Sequence, residues 1–207
     1  MIDKVLIEID RALKTLTLEP TEKRVRPDAS IQENSSLSNP NKKINAQYMR
    51  VNHSGEICAQ GLYRGQLFFN RNTLIKSELE KAADEEADHL AWCNKRIEEL
   101  GGKTSKLNPV LYASSFIIGA FNSFVDEKSN LGFLAETEKQ VALHLTRHLG
   151  RVDKNDIKTI HILKAMKADE EGHESSAIAM GAKELNPLAK KIMGKASKLM
   201  TKTTFYI

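Results

Sequence analysis

An all-α fold is predicted by three observations on this 207-residue chain. Apolar residues recur at three- and four-residue spacing along runs of strong helix formers. Those runs are broken by short clusters rich in Gly, Asn and Asp, where helices end and begin. No segment alternates apolar and polar residues with the period of two that a half-buried strand requires. The expected architecture is a four-helix bundle of two helical hairpins, with additional amphipathic and apolar helices.

Each element follows in order. Val5 to Leu18 forms an amphipathic helix, with Val5, Ile9, Ala12, Leu13 and Leu16 on one face. Pro20 to Lys43, rich in Ser, Asn, Pro and charge, reads as a flexible polar linker. The first hairpin runs from about Ala46 to Gly101, with its break at Asn70–Thr73 and Gly101-Gly102 as the stop. Leu107 to Val125 carries no charged residue and reads as an apolar connecting segment. It can lie in a membrane interface, form a greasy entrance to the bundle or be a buried connector, but it is too polar for a confident span. The second hairpin runs from about Asn130 to Gly181. It breaks at Gly150–Asp156, where Asp153, Asn155 and Asp156 are candidate N-caps. Last comes a basic amphipathic helix over 185–202. Leu185, Leu188, Ile192, Ala196 and Leu199 make its stripe, and lysines flank it in the manner of a helix that can lie on an anionic bilayer or pack on its own domain. Residues 46–207 are thus expected as one domain, preceded by an N-terminal helix and linker over 1–45.

Composition narrows the function. Apolar residues make up 41% and charged residues 28%, a globular balance, and the formal charge of +4 gives no case for nucleic-acid binding. Cys58 and Cys93 do not form a Cys-x-x-Cys pair, so they read as buried free thiols rather than a thiolate zinc site. The N-terminus carries acids where a secretory signal needs a basic n-region. No Gly-rich nucleotide motif is present, so a redox reaction here would take its electrons from an external donor.

The chemistry lies in two Glu-x-x-His pairs, Glu86/His89 and Glu170/His173, each preceded by a lone glutamate, Glu56 and Glu138. One Glu-x-x-His pair on a helix is ordinarily a solvated contact. The hairpins give these two their weight. The midpoint of 56 and 86 falls in the first break, and that of 138 and 170 in the second, so in each hairpin the lone glutamate is level with its partner pair. Each lies roughly 22 Å of helix from the turn. Apolar neighbours share the faces of three of the four glutamates: Leu134 and Leu145 near Glu138, Leu79 and Cys93 near Glu86, Met166 and Ala177 near Glu170. Glu56 has the more polar face, with His53, Gln60 and Tyr63. An ionised, unpaired carboxylate on an apolar stripe costs several kcal/mol, and metal ions remove that cost. Four carboxylates with one imidazole per ion suit iron or manganese. Glu85 and Asp169, each one residue before a candidate ligand, can orient the imidazole of the opposite hairpin. His144 is a candidate pocket or proton-carrying residue.

The motifs also carry a resemblance. Met49-Arg50-Val51-Asn52-His53-Ser54-Gly55-Glu56 with Leu62-Tyr63-Arg64-Gly65-Gln66, then Glu85-Glu86-Ala87-Asp88-His89-Leu90-Ala91-Trp92-Cys93, resemble the first two metal helices of the bacterial demethoxyubiquinone hydroxylases. Leu131 to Glu138 and Asp169-Glu170-Glu171-Gly172-His173 are similar to the third and fourth, and Met200-Thr201-Lys202-Thr203 to the proteobacterial ending. Where many relatives have Asp-His-Ala-Gly-Glu, this chain has Asn52-His53-Ser54-Gly55-Glu56 and keeps the glutamate. The resemblance implies a ferritin-like bundle with two iron ions per chain held by Glu56, Glu86, His89, Glu138, Glu170 and His173, Glu86 and Glu170 bridging. It implies O₂-dependent hydroxylation of a prenylated benzoquinone in ubiquinone biosynthesis. It further implies peripheral attachment to the cytoplasmic side of the inner membrane, with self-association or a quinone-synthesis complex as expected partners. A ferroxidase, a manganese catalase and a non-enzymatic membrane-surface scaffold are the alternatives.

Overall fold

The computed structural model describes residues 2–17, 22–33, 37–70, 72–124 and 126–207. Leu18, Pro20, Arg71 and Val125, which figure in the expected element boundaries, lie outside the described residues, as do 34–36 of the expected linker. Seven helices are present among the described residues, and no strand: α1 (Ile2–Thr17), α2 (Asn39–Phe69), α3 (Thr73–Glu99), α4 (Asn108–Asn122), α5 (Glu127–Leu149), α6 (Ile157–Ala179) and α7 (Pro187–Tyr206). α2 pairs with α3 and α5 with α6, giving the two expected hairpins, which meet through α3–α6 and α2–α5 contacts.

The helix ends obey local chemistry. Asn72 caps α3 by accepting from Leu74 N and Ile75 N, and Gly101 at φ 72° turns the chain out of its end. Of the three candidate caps before α6, Asp156 is the one that acts, accepting from Thr159 N at 3.0 Å. α2 begins at Asn39, seven residues before the expected start at Ala46. Its opening turns hold no apolar stripe. They are fixed by polar burial instead: Asn45 donates to Asp156 at 2.7 Å and accepts from Asp153 N.

Residues 22–33 are not a free linker. Arg24 donates to Asp88 on α3 and to Asp169 on α6, Arg26 pairs with Asp28 and Glu99, and Glu33 accepts from the buried Arg96. The segment is a strap tied across both hairpins by charge-assisted bonds.

Two apolar clusters fill the bundle. Met49, Trp92, Cys93, Ile97, Leu145, Leu163 and Met166 pack together toward one end. Tyr63, Leu67, Leu79, Leu131, Leu134 and Ala177 pack toward the other. On every one of the four helices the glutamate singled out above falls between members of these clusters, so the carboxylates form one polar layer sandwiched between apolar ones. Each fully buried Leu, Ile or Met contributes about 1.5–3 kcal/mol, which is what holds the layer closed.

α4 lies against the outside of α2. Gly61 and Gly65 of α2 and Gly119 of α4 make the crossing. A Cβ on Gly65 would sit 2.1 Å from Phe116 O, and one on Gly119 2.1 Å from Leu62 O. Contact at backbone distance leaves most of α4 in the open. Asn108, Tyr112 and Gly119 are buried, whereas Val110, Ile117, Phe121 and Phe124 are 54–71% exposed. It is therefore not a buried connector. α1 packs its Ala12 and Leu16 against Ile57, Leu90 and Tyr112, and Glu8 bonds Arg64 at 2.9 and 2.5 Å. The rest of its stripe, Val5, Ile9 and Leu13, stays exposed. No helix among the described residues is long and apolar enough to cross a membrane.

Candidate metal centre

The six residues expected from the sequence converge. Glu56, Glu86, His89 and Glu170 offer ligand atoms that all lie within 4.8 Å of one another, and so do Glu86, Glu138, Glu170 and His173. Glu86 and Glu170 belong to both sets. The four carboxylates and His89 are at most 2% exposed, and His173 is 11% exposed by side chain. Glu56, whose helical face looked the most polar, is as buried as the rest, because Gln60 donates to Ala83 O and Tyr63 points inward.

The imidazoles are oriented alike. His89 Nδ1 lies 2.9 Å from Glu86 Oε2, 3.5 Å from Glu170 Oε1 and 3.9 Å from Glu56 Oε2. His173 Nδ1 lies 3.2 Å from Glu86 Oε1 and 3.7 Å from Glu170 Oε2. Each Nε2 points away, to a carboxylate of the opposite hairpin: His89 to Asp169 at 2.8 Å, His173 to Glu85 at 2.6 Å. A carboxylate at Nε2 holds the proton there and leaves the Nδ1 lone pair facing the cluster, the arrangement found around metal-bound histidine. Glu85 and Asp169 thus lie where each can orient the imidazole of the opposite hairpin.

The electrostatics call for cations. Burial pushes Glu56 and Glu138 well above the usual carboxylate range, and neighbouring carboxylates push them further. Burial also works against the charged forms of Glu86 and His89, but their mutual attraction outweighs it. Glu86 is held well below its usual range and His89 well above its own. For His173 burial is likewise outweighed, by the Glu170 and Glu86 carboxylates that face its Nδ1, which raise it to about 11. Even so, Glu86 Oε1, Glu170 Oε1 and His173 Nδ1 are shielded from water without an aligned hydrogen-bond partner. Buried acceptors left unpaired are the signature of a place for positive charge. The donor set fits two metal ions, with oxygen ligands and one imidazole each.

Two neighbours were not foreseen. Tyr63, wholly buried, donates its hydroxyl to Glu138 Oε1. Arg24 donates at 2.9 Å to the same Asp169 oxygen that meets His89, and at 2.8 Å to Asp88, with its guanidinium over the Trp92 ring. Tyr63 was visible beside the motif, but nothing in the sequence ties position 24 to position 169. His144 is not at the cluster. It meets His148 edge-on, ring centroids 3.9 Å apart, in a cleft between α5 and α7, and burial lowers its pKa to about 4. Six residues beyond Glu138 it has moved past the polar layer and onto another face. Asn52, at the departure from the family pattern, accepts from His148 Nδ1 at 2.8 Å, and Ser54 donates to Asn108 at 3.0 Å. Both substituted side chains therefore have partners. A cavity of about 200 Å³ between α3 and α6, lined by Glu85, Asp169 and His173 among others, leads outward from the cluster.

Known proteins share this chain's pattern. The family described as "Ubiquinone biosynthesis protein COQ7" matches residues 43–204. The 3-demethoxyubiquinol 3-hydroxylase of Legionella pneumophila strain Paris is 47% identical over all of this chain and 97% of its own length. Those of Nitrosospira multiformis and Coxiella burnetii strain RSA 331 are 45% and 42% identical, again over the whole chain and 99% and 95% of their own lengths.

Proposed function

This chain belongs to the COQ7 family of ubiquinone biosynthesis proteins, and from that membership and its buried carboxylate–histidine layer we propose that it is a di-iron monooxygenase hydroxylating a prenylated demethoxyubiquinol. The observation that carries the metal reading is the overlap of the two ligand sets at Glu86 and Glu170. Glu56 and His89 would hold one iron and Glu138 and His173 the other, with Glu86 and Glu170 shared between them. A bound pair of reduced irons supplies the redox chemistry that O₂ needs, one oxygen atom going to the ring and the other to water. The balance requires two electrons and two protons from an external donor.

The chain's own groups do the rest. Asp169 and Glu85 hold the two imidazoles in the tautomer that presents Nδ1 inward. The Tyr63 hydroxyl fixes Glu138. The apolar clusters above and below exclude water, which strengthens every interaction within the layer. The opening between α3 and α6 is smaller than the roughly 300–1,000 Å³ of a pocket for an organic ligand. It suits O₂, water or protons rather than the quinol ring.

A prenylated substrate is delivered from a membrane surface in this reading, the protein sitting peripherally on the cytoplasmic side of the inner membrane. The exposed apolar residues of α4, with those of the adjoining α1, support it, because patches of this kind on a folded chain mark membrane or partner contact. The test is direct. Iron is quantified, and the anaerobically reduced protein is mixed with demethoxyubiquinol and O₂. Two irons per chain and a ring-hydroxylated product are expected, and Glu138→Ala should lose both. Full iron content with full turnover in that variant overturns the assignment.

A further inference from the structure

We propose that two clefts meeting at Tyr206, remote from the carboxylate layer, form a binding site for a phosphate-bearing anion. The argument starts from the arginines. Five of those among the described residues, Arg11, Arg24, Arg26, Arg64 and Arg96, are held in salt bridges. Arg50, Arg147 and Arg151 are in none, and all three line these clefts. Arg50 faces a cavity of about 740 Å³ between the start of α2 and the loop after α3, together with Lys42, Lys103 and Lys106. Arg147 and Arg151 face one of about 630 Å³ between α5 and α7, together with Lys198 and Lys202. Tyr206 is common to both linings, and no acidic side chain is among the residues of either.

A solvated basic surface is the ordinary reading of lysines, and Arg147 in the last turn of α5 also complements that helix's dipole. Neither accounts for the whole arrangement. Arg50 sits mid-helix in α2, and its Nε is shielded from water with no partner. Lys198 and Lys202 are four residues apart on one helix, a like-charge spacing that works against the helix unless an anion lies nearby. The unpartnered Nε2 of His144 lines the same cleft as Arg147. Burial lowers His144 to about 4 and His148 to about 2, and the uncompensated charges of Arg147 and Arg151 add to the effect.

The ligand chemistry follows from the donors. One arginine fork satisfies one carboxylate. Arg147 and Arg151 with Lys198 and Lys202 in one cleft, and Arg50 with Lys42, Lys103 and Lys106 in its neighbour, offer more donors than a carboxylate can use and match tetrahedral oxyanions that present oxygens in several directions. Tyr48 and Phe205, ring centroids 5.3 Å apart, wall the second cleft and can pack the organic part of an ester. The phosphate can come from an anionic phospholipid headgroup or from a soluble phosphate ester.

The test uses the full metal-loaded chain, Arg147→Gln/Arg151→Gln and Arg50→Gln variants, and a Lys95→Gln/Lys164→Gln control that removes equal charge from exposed positions outside both clefts. Inorganic phosphate and glycerol 3-phosphate are titrated by calorimetry. Vesicles of phosphatidylcholine, with and without phosphatidylglycerol, are tested by co-sedimentation. At least tenfold weaker binding in the arginine variants, with the control unchanged, is expected in one arm or both. Arginine dependence with the soluble probes identifies a phosphate-ester site, and dependence with the phosphatidylglycerol vesicles alone identifies a headgroup site. Equal binding by wild type, arginine variants and control in every arm overturns the proposal. Iron content and turnover are read in parallel, so a failure here is separable from a failure of the hydroxylase reading.

Discussion

Replacing Gly65 by Ala adds one methyl group at the α2–α4 crossing, and the structure sets its cost. The new Cβ would lie 2.1 Å from Phe116 O and 2.7 Å from Ala120 N, both backbone atoms of α4. Favourable carbon contacts lie at about 3.5–4.0 Å, so α4 must retreat by more than about 1 Å. Backbone cannot swing aside as a side chain can, which places the change toward the upper end of the roughly 1–3 kcal/mol range for overpacking. Alanine returns about 1 kcal/mol of helix propensity, leaving a net loss of about 2 kcal/mol. Gly55, on the same helix, has nothing within 4 Å of an added Cβ, so Gly55→Ala should be neutral or stabilise by up to about 1 kcal/mol. Urea unfolding followed by circular dichroism, at matched metal content, measures the difference. A gap of about 3 kcal/mol between the variants is expected, with the Gly65→Ala melting temperature lowered by about 4–8 °C. If the two variants unfold at the same urea concentration, the close approach of α4 to α2 is not what Gly65 is for.

The carboxylates behind the imidazoles should matter as much as ligands usually make them matter. Asp169→Asn and Glu85→Gln, which keep shape and remove charge, should each weaken metal binding about 10–100-fold in a competitive chelator titration, and wild-type affinity in both would refute the orienting role. The metal-free cluster should also couple stability to pH. Glu56, Glu138, His89 and His173 all have raised pKa values in the folded protein, so their stabilising protons are fully held below the unfolded values and lost as pH rises toward the folded ones. The stability gained on adding iron should therefore grow from about pH 6 to pH 8, with proton release on binding, and a pH-independent increment in calorimetric unfolding would contradict it.

How much of this was legible depended on what kind of interaction wrote it. The hairpins, their turns and the level placement of the glutamates follow from apolar periodicity and local caps, which a sequence displays directly. Asp169 and Glu85 were legible because each adjoins a motif whose partner lies on the opposite hairpin. The opening of α2 was not, because Asn45 is buried through hydrogen bonds to Asp156 and the Asp153 backbone rather than through an apolar stripe. The strap over 22–33 was read as solvated for a related reason. Its ion pairs to the bundle join residues 61 to 145 positions apart, and charge alone does not reveal its partner. Tyr63 shows the limit of reading one helical face: beside Glu56 in sequence it looked like polar dilution, yet its hydroxyl reaches across the bundle to Glu138.

The strap also changes what the polar layer depends on. A buried layer of four carboxylates is unstable unless its charge is balanced and its geometry fixed, and the hairpins fix the glutamates and, through Asp169 and Glu85, the imidazoles. His89 is held by Asp169, Asp169 by Arg24, and Arg24 by Asp88 one residue before His89. That closed circuit joins α3, α6 and the N-terminal segment around one imidazole. In its counterpart on the other side, His173 with Glu85, Arg24 reaches only the Glu85 backbone carbonyl, at 3.5 Å, so the carboxylate meets no arginine among the described residues, and the pair faces the small opening between α3 and α6. The two halves of the chain repeat their ligands almost symmetrically, and the strap touches both, but it braces the carboxylate behind one imidazole only, Asp169 behind His89. His89 is braced and wholly buried, whereas His173, 11% exposed by side chain, is the imidazole that lines the opening.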